Sequence, residues 1–224
     1  MKLRILISIV LLIVPWTIRR KMLNRIFGYN IHNTARIGFS IILPEILEME
    51  ENSKIGHLTV CKGISRLRMH QFSKIGNLNW ITTSAKKNHD FLFKHKPDRD
   101  PSLIIGEHSS ITLRHILDCS DKIEIGSYST VAGYHSQLLT HSVDIQENRQ
   151  SCNSILIGDF CFVGTNCTIL PGAKLGNYSI LGAASLLNKR WEDPFYLYAG
   201  VPAKPQKRLD KNLAYFHREN GEVN

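Results

Sequence analysis

The aliphatic positions between residues 155 and 187 follow neither a helical nor a strand period. Counted from Ile157 the chain reads in sixes, with Ile157, Val163, Ile169, Leu175, Leu181 and Leu187 opening successive units. Glycine follows the aliphatic residue in four of the first five units, and the fifth position is always small: Cys161, Cys167, Ala173, Ser179 and Ser185. An amphipathic helix would place apolar residues three and four apart, and a half-buried strand would alternate them. A six-residue period instead predicts a parallel β-helix, whose short strands turn corners and stack coil upon coil. The aliphatic column then fills the prism interior. The small column sits at a corner, where a long side chain would clash.

Ile31, Ile37, Leu43, Met49, Ile55 and Cys61 keep the same spacing, and Ile37-Gly38 recurs as Ile55-Gly56 after 18 residues, one three-sided coil. Read as one column, the pairs Ile75-Gly76, Ile105-Gly106, Ile125-Gly126 and Ile157-Gly158 follow at offsets of 20, 30, 20 and 32. An offset of 20 predicts two extra corner residues, and the longer offsets predict excursions over roughly residues 83–101 and 133–153. Long connections in compact domains are usually functional, so the first is a candidate lid or subunit clasp. Residues 1–30 predict a helical arm, interrupted by Pro15. Residues 31–203 predict the prism, and residues 204–224 a short terminal helix with Leu209, Leu213 and Phe216 on one face. The fold class is therefore all-β, a parallel β-helix with helical additions at both ends.

Composition and charge narrow the setting. With 43% hydrophobic and 21% charged residues, the chain is globular rather than disordered. Its net charge of +9 is concentrated at the start, where Lys2, Arg4, Arg19, Arg20, Lys21, Arg25 and Arg36 all precede the first acidic residue, Glu45. No nucleic-acid recognition motif accompanies this charge, so the partner expected is an anionic surface or small ligand. The apolar run over residues 5–14 is too short to span a bilayer and suits a helix lying at the membrane interface. The alternative is that it packs on the base of the prism. The five cysteines show no metal spacing and read as reduced, buried packers, which fits a cytoplasmic location, peripheral to the inner membrane if the arm binds it.

The hexads and the segment AGVPAKPQKRL at 199–209 resemble the left-handed β-helix of the hexapeptide-repeat acyltransferases, over residues 31–209. The resemblance is nearest to the polysaccharide-biosynthesis (colanic-acid-type) and sugar O-acetyltransferases of that family. It implies the left hand, a homotrimer, acetyl-CoA as acyl donor, a carbohydrate acceptor and no metal. Because the prism interior is filled, a site must be built from loops and grooves. His141, in the second excursion, matches the family's catalytic histidine, which would deprotonate the acceptor as it attacks the thioester. Asp144 is the nearby carboxylate taken to orient it, with Glu147 as the alternative. Arg149 is a candidate acceptor contact. Arg114 and His115 lie where sugar acetyltransferases of the family carry an acceptor-binding asparagine; Thr-Leu-Arg-His here departs from that pattern. By the same resemblance Gly164, Thr165, Gly182, Ala183 and Ala184 line the pantetheine channel, and Lys189 and Lys204 face the nucleotide end of CoA.

The function expected is O-acetylation of a cell-surface polysaccharide or its lipid-linked precursor. The alternatives are a soluble acetyltransferase for small sugars, nucleotide-sugars or xenobiotics, and an inactive scaffold. A zinc hydrase of the same prism would need a three-histidine set such as His115, His135 and His141, whose spacing does not resemble that family's closer pair.

Overall fold

The computed structural model describes residues 2–83 and 91–222. Helices α1 (Lys2–Leu11) and α2 (Trp16–Phe27) come first, separated at Pro15. Leu11 and Leu23 are buried against the first coil, with Ile7, Val14, Trp16 and Phe27 packed around them. The Trp16 indole donates to the carbonyl of Ala35, and the Arg19 guanidinium donates to those of Gly38 and Ser40. The arm therefore plugs the base of the prism and pairs carbonyls that would otherwise be left without donors. Only one side of α1 is used this way; Leu3, Leu6 and Val10, with Ile13 in the turn that follows, remain exposed.

From residue 30 the chain winds through short strands on three faces. The first face holds eight parallel strands from Asn30–Ile31 to Arg190–Trp191, and the third holds seven from Ile41–Leu43 to Leu186–Leu187. The second holds nine, of which the last, Lys204–Arg208, runs antiparallel to Tyr196–Ala199. All six aliphatic residues of the hexads point inward and are buried, and so are the five small ones at the corners. The corner side chains also tie coils together: the Ser129 hydroxyl accepts the N–H of Cys161 at 2.8 Å and donates to Gly158 O at 2.6 Å. Burial pushes the Cys161 thiol up to about 12, which makes it a packing group rather than a reactive one.

Two register expectations shift. The partner of Cys61 is Ile42 rather than Leu43, which moves one place toward the corner. More consequentially, Ile75 pairs with Ile111, and Ile105 pairs with Met69. The Ile-Gly pairs at 37, 55 and 75 thus lie on the second face, and those at 105, 125 and 157 on the first. Every face has the same six-residue pitch, so a repeat broken by an excursion does not reveal which face resumes. The glycines on the first face are required by close stacking of coils. A Cβ on Gly106 would meet the carbonyl carbon of Gly126 at 2.5 Å, and one on Gly126 would meet that of Gly158 at 2.6 Å.

At the corner between the first and second faces, Phe72, His108, Tyr128, Phe160, Tyr178 and Phe195 stack ring on ring. Their centroids are 4.7–5.1 Å apart. The tail runs back along this edge. Phe216 stands edge-on to Tyr178 and Phe195, Arg218 donates to Tyr128 O, and Gly221 N–H donates to His108 Nδ1 at 3.2 Å. The terminal helix expected from residue 204 is instead the strand Lys204–Arg208 followed by a single 3-10 turn, Ala214–His217. Pro205 cannot continue a helix comfortably, and of the expected apolar face only Phe216 is buried.

Leu117 is fully buried while its neighbour Ile116 points outward and is 42% exposed. Leu117→Ala should therefore lower stability by about 2–5 kcal/mol in denaturant melts, and Ile116→Ala should change it by only about 0.5 kcal/mol.

Candidate active site

Two excursions leave the corner between the third and first faces, and they meet there. The second is narrower than expected, because Thr130–Tyr134 and Gln137–Leu139 remain strands of the prism. What leaves is a hairpin, His141–Asp144 paired antiparallel with Arg149–Cys152. Asn153 N–H closes its base on Thr140 O at 2.9 Å. Thr140 is buried, and its hydroxyl donates to Asp118 O at 2.6 Å and accepts from Asp121 N–H at 2.9 Å. The first residue of the hairpin, His141, is thereby fixed to the coil beneath it.

His141 Nδ1–H donates to the carboxylate of Asp118, the last residue of the strand Ile116–Asp118. The other carboxylate oxygen accepts from Ser120 N–H at 3.0 Å and from the Ser120 hydroxyl at 2.6 Å. Held from both sides, the carboxylate sets the imidazole tautomer and leaves the Nε2 lone pair without a partner among the described residues. The Asp118 side chain is 13% exposed and that of His141 33%, so the carboxylate is sheltered while the ring stays accessible. Phe93, from the first excursion, is buried and packs edge-on to the His141 ring at 6.4 Å. Arg99 lies over Phe93 at 4.8 Å and donates to Ser120 O at 2.9 Å, and Lys96 donates to Cys152 O at 3.1 Å. Residues 91–101 are therefore the wall of this site; residues 84–90 of the expected lid lie outside the described residues.

The other expected residues fall in different places. Asp144 does not reach His141. Its carboxylate accepts from Gln146 N–H and Glu147 N–H, both at 3.1 Å, and so shapes the hairpin turn. Arg149 pairs with Asp144 at that distal end and is exposed. Lys189 lies further up the same edge as His141, between the strands Leu186–Leu187 and Arg190–Trp191. Arg114, Gly164, Thr165, Gly182, Ala183 and Ala184 all lie at the opposite corner, between the second and third faces, and Lys204 stands above them. Within one chain the third face separates that group from His141.

His115 is a strut at that second corner rather than a surface group. It is fully buried, its Nδ1 accepts Ser136 N–H at 3.1 Å, and its Nε2 lies 3.0 Å from the Thr112 hydroxyl. Both nitrogens are used within the prism, which removes it from acceptor contact and from a histidine cluster. Asp118, Ser120, Phe93 and Arg99 are the site residues that sequence reasoning missed. The usable signal is the pairing of Ile116–Asp118 with Gln137–Leu139, which puts Asp118 directly beneath the start of the hairpin.

Among comparisons with known proteins, no family model matches the chain. It is 36% identical over 117 residues to YvoF of Bacillus subtilis (strain 168), provisionally named an acetyltransferase, covering 48% of this chain and 66% of that protein. It is 32% identical over 59 residues to a chloramphenicol acetyltransferase of Klebsiella aerogenes, covering 26% and 28% of the two chains. The chain therefore spans just under two thirds of the first relative's length and far less of the second's. Its fold matches the polysialic acid O-acetyltransferase OatWY with a TM-score of 0.53 at 20% identity, over 80% of this chain and 84% of that one. It also matches the N-acyltransferase AntD of Bacillus cereus, solved with coenzyme A and dTDP-4-amino-4,6-dideoxyglucose, with a TM-score of 0.56 at 13% identity. That match covers 88% of this chain and 93% of AntD. The chain is a left-handed parallel β-helix of the hexapeptide-repeat type. The proteins it resembles in sequence carry acetyltransferase names.

Burial, and secondarily the nearby His135, lower the pKa of His115 to about 4, against an ordinary value of 6.5. The unfolded chain thus takes up this proton at a higher pH than the folded one. The stability contributed by neutral His115 is fully present above 6.5 and is lost as pH falls toward about 4, with a limiting slope of about 1.4 kcal/mol per pH unit. Imidazole proton NMR should show His115 neutral down to about pH 4, with the melting temperature falling over the same window.

Proposed function

We propose that the chain is an acetyl-CoA-dependent O-acetyltransferase acting on a carbohydrate, with His141 as general base and Asp118 as its positioning carboxylate. The observation that carries this reading is the Asp118–His141 pair itself, with Nδ1 committed and Nε2 open at an edge walled by Phe93. Nε2 takes the proton of an acceptor hydroxyl while its oxygen attacks the thioester carbonyl. Collapse of the tetrahedral intermediate expels the CoA thiolate, which regains a proton from the imidazolium. The acetyltransferase names of the sequence relatives support the reaction class. The fold match to an acyltransferase solved with coenzyme A is in keeping with the donor. An inactive scaffold would have no use for a histidine so held.

The donor arm lies along the opposite corner, where Gly164, Thr165, Gly182, Ala183 and Ala184 allow close approach to backbone, with Lys204 toward the nucleotide end. A homotrimer sets that corner of one copy against the His141 edge of the next, where Lys189 also stands. Arg114 on the donor side and Arg149 on the hairpin then flank the acceptor. The acceptor is a surface glycan or its lipid-linked precursor, met at the cytoplasmic side of the membrane. No described helix is long and apolar enough to cross a bilayer. The exposed stripe of Leu3, Leu6, Val10 and Ile13, with exposed Lys21 and Arg25 nearby and no acidic residue before Glu45, suits attachment to an anionic surface.

In an assay of acetyl transfer from acetyl-CoA to glycan oligosaccharides, His141→Ala should reduce kcat/KM by about 10²–10⁴-fold. Asp118→Asn should reduce kcat with little change in KM, and Asp144→Asn should stay within about twofold of wild type. Full activity in folded His141→Ala would sink the assignment. Sedimentation with phosphatidylglycerol vesicles should be lost at high salt and weakened by Leu6→Glu; equal pelleting of wild type and Leu6→Glu would remove the membrane from the proposal.

A further inference from the structure

The outer surface of the third face carries two rows of side chains. One runs Ile41, Val60, Trp80, Ile116 in strand register, and the other runs Leu43, Lys62, Thr82, Asp118. The lower part of both rows forms, with α1, a cavity of about 280 Å³ walled by Ile5, Ile41, Leu43, Val60 and Trp80. Trp80 is 44% exposed, although tryptophan is an expensive residue to leave in water. Arg4 and Lys62 also line this cavity, and no acidic side chain does. The Lys62 ammonium lies over the Trp80 ring at 5.0 Å, and Arg4 Nε is buried with no hydrogen-bond partner. The cavity thus joins an apolar trough to two cations, of which Arg4 is held in place by Nη2 donating to Tyr29 Oη at 3.0 Å and to Pro44 O at 3.2 Å, and Lys62 is exposed. Cys61 pairs with Ile81, so the register continued by one residue sets Lys62 beside Thr82, which pairs with Asp118; two strand spacings, about 10 Å, separate the cation from the dyad.

We infer that this cavity holds the prenyl chain of a phosphate-linked glycan, with Arg4 and Lys62 on the phosphate and the adjoining sugars laid along the third face toward His141. The inference rests on the acetyltransferase reading and deepens it by naming the class of acceptor. An apolar chain matches the walls, a phosphate matches the cations, and the row that leads from Lys62 to Asp118 gives the sugars a path to the base. A bilayer phospholipid has the same mixed chemistry, but a headgroup such as glycerol is too short to span the roughly 10 Å from Lys62 to His141. The cavity is roofed by α1, whose other side carries the exposed Leu3, Leu6 and Val10, continued by Ile13 in the turn that follows. The opening is therefore next to the surface from which a prenyl chain would be drawn.

The test is calorimetric titration of the full chain with farnesyl phosphate, farnesol, inorganic phosphate and phosphatidylglycerol vesicles. Farnesyl phosphate should bind saturably to wild type and equally to His141→Ala. Farnesol should bind at least about tenfold more weakly, and inorganic phosphate should give no saturable signal. Val60→Phe, which fills the cavity, and Lys62→Gln, which removes an exposed cation, should each weaken farnesyl phosphate by about tenfold or more. Wild-type affinity in both variants, farnesol binding as well as its phosphate, or binding to the vesicles alone would overturn the inference. If Val60→Phe does not fold by circular dichroism, Lys62→Gln decides. Prenyl phosphate binding without acetyl transfer to any acceptor would support the cavity and sink the transferase reading. Transfer to soluble glycans without prenyl phosphate binding would sink the cavity alone.

Discussion

Parallel backbone hydrogen bonds between coils hold this molecule together, and they form only where successive coils keep register. Register in turn demands that each turn of the prism place an aliphatic residue inward and a small one at the corner, so the two columns from Ile157 to Leu187 express one constraint. The closeness of the coils is visible in the glycines of the first face, where an added Cβ would enter the backbone of the next coil. Because interior and corners are so restricted, new chemistry enters this fold where the chain leaves a corner and returns. Both long excursions do so at the same edge, and that edge holds the histidine.

The three edges of the prism carry different work. One is closed by the stacked rings from Phe72 to Phe195 and by the tail that runs back along them. The second presents Arg114 and the small residues near Thr165 and Ala183. The third supports the His141 hairpin and the wall around Phe93. The arm caps the base with arginine and tryptophan donors and leaves a cavity against the third face, below the dyad in the same rows of side chains. The Asp118–His141 pair, the rows of the third face and the helical arm thus share one surface.

The Asp118–His141 pair shows why sequence neighbours are poor guides to side-chain partners in a solenoid. Asp144 is three residues from His141 in sequence, but successive residues of an extended strand are about 3.3 Å apart, and its carboxylate is engaged with its own turn. Asp118 is 23 residues away in sequence, yet it is the residue that coil stacking brings under the imidazole. The same geometry explains His115, which the resemblance puts among the acceptor contacts and which is a buried corner strut in the prism.

The sequence by itself determined the prism, the helical arm broken at Pro15, and the small and aliphatic columns, because each is a local or periodic property; His141 was singled out only by resemblance to a family. The sequence did not determine which face resumes after an excursion, since all three faces share one six-residue pitch and the residues between Ile75 and Ile105 erase the count. Nor did it determine the tail, where pairing of Lys204–Arg208 with Tyr196–Ala199 and the burial of Phe216 on the ring stack outweigh a weak helical pattern. The partner of His141, the wall at Phe93 and the cavity under Trp80 were decided only by tertiary structure. Each joins residues from separate coils or excursions, and their proximity is set by stacking rather than by distance along the chain.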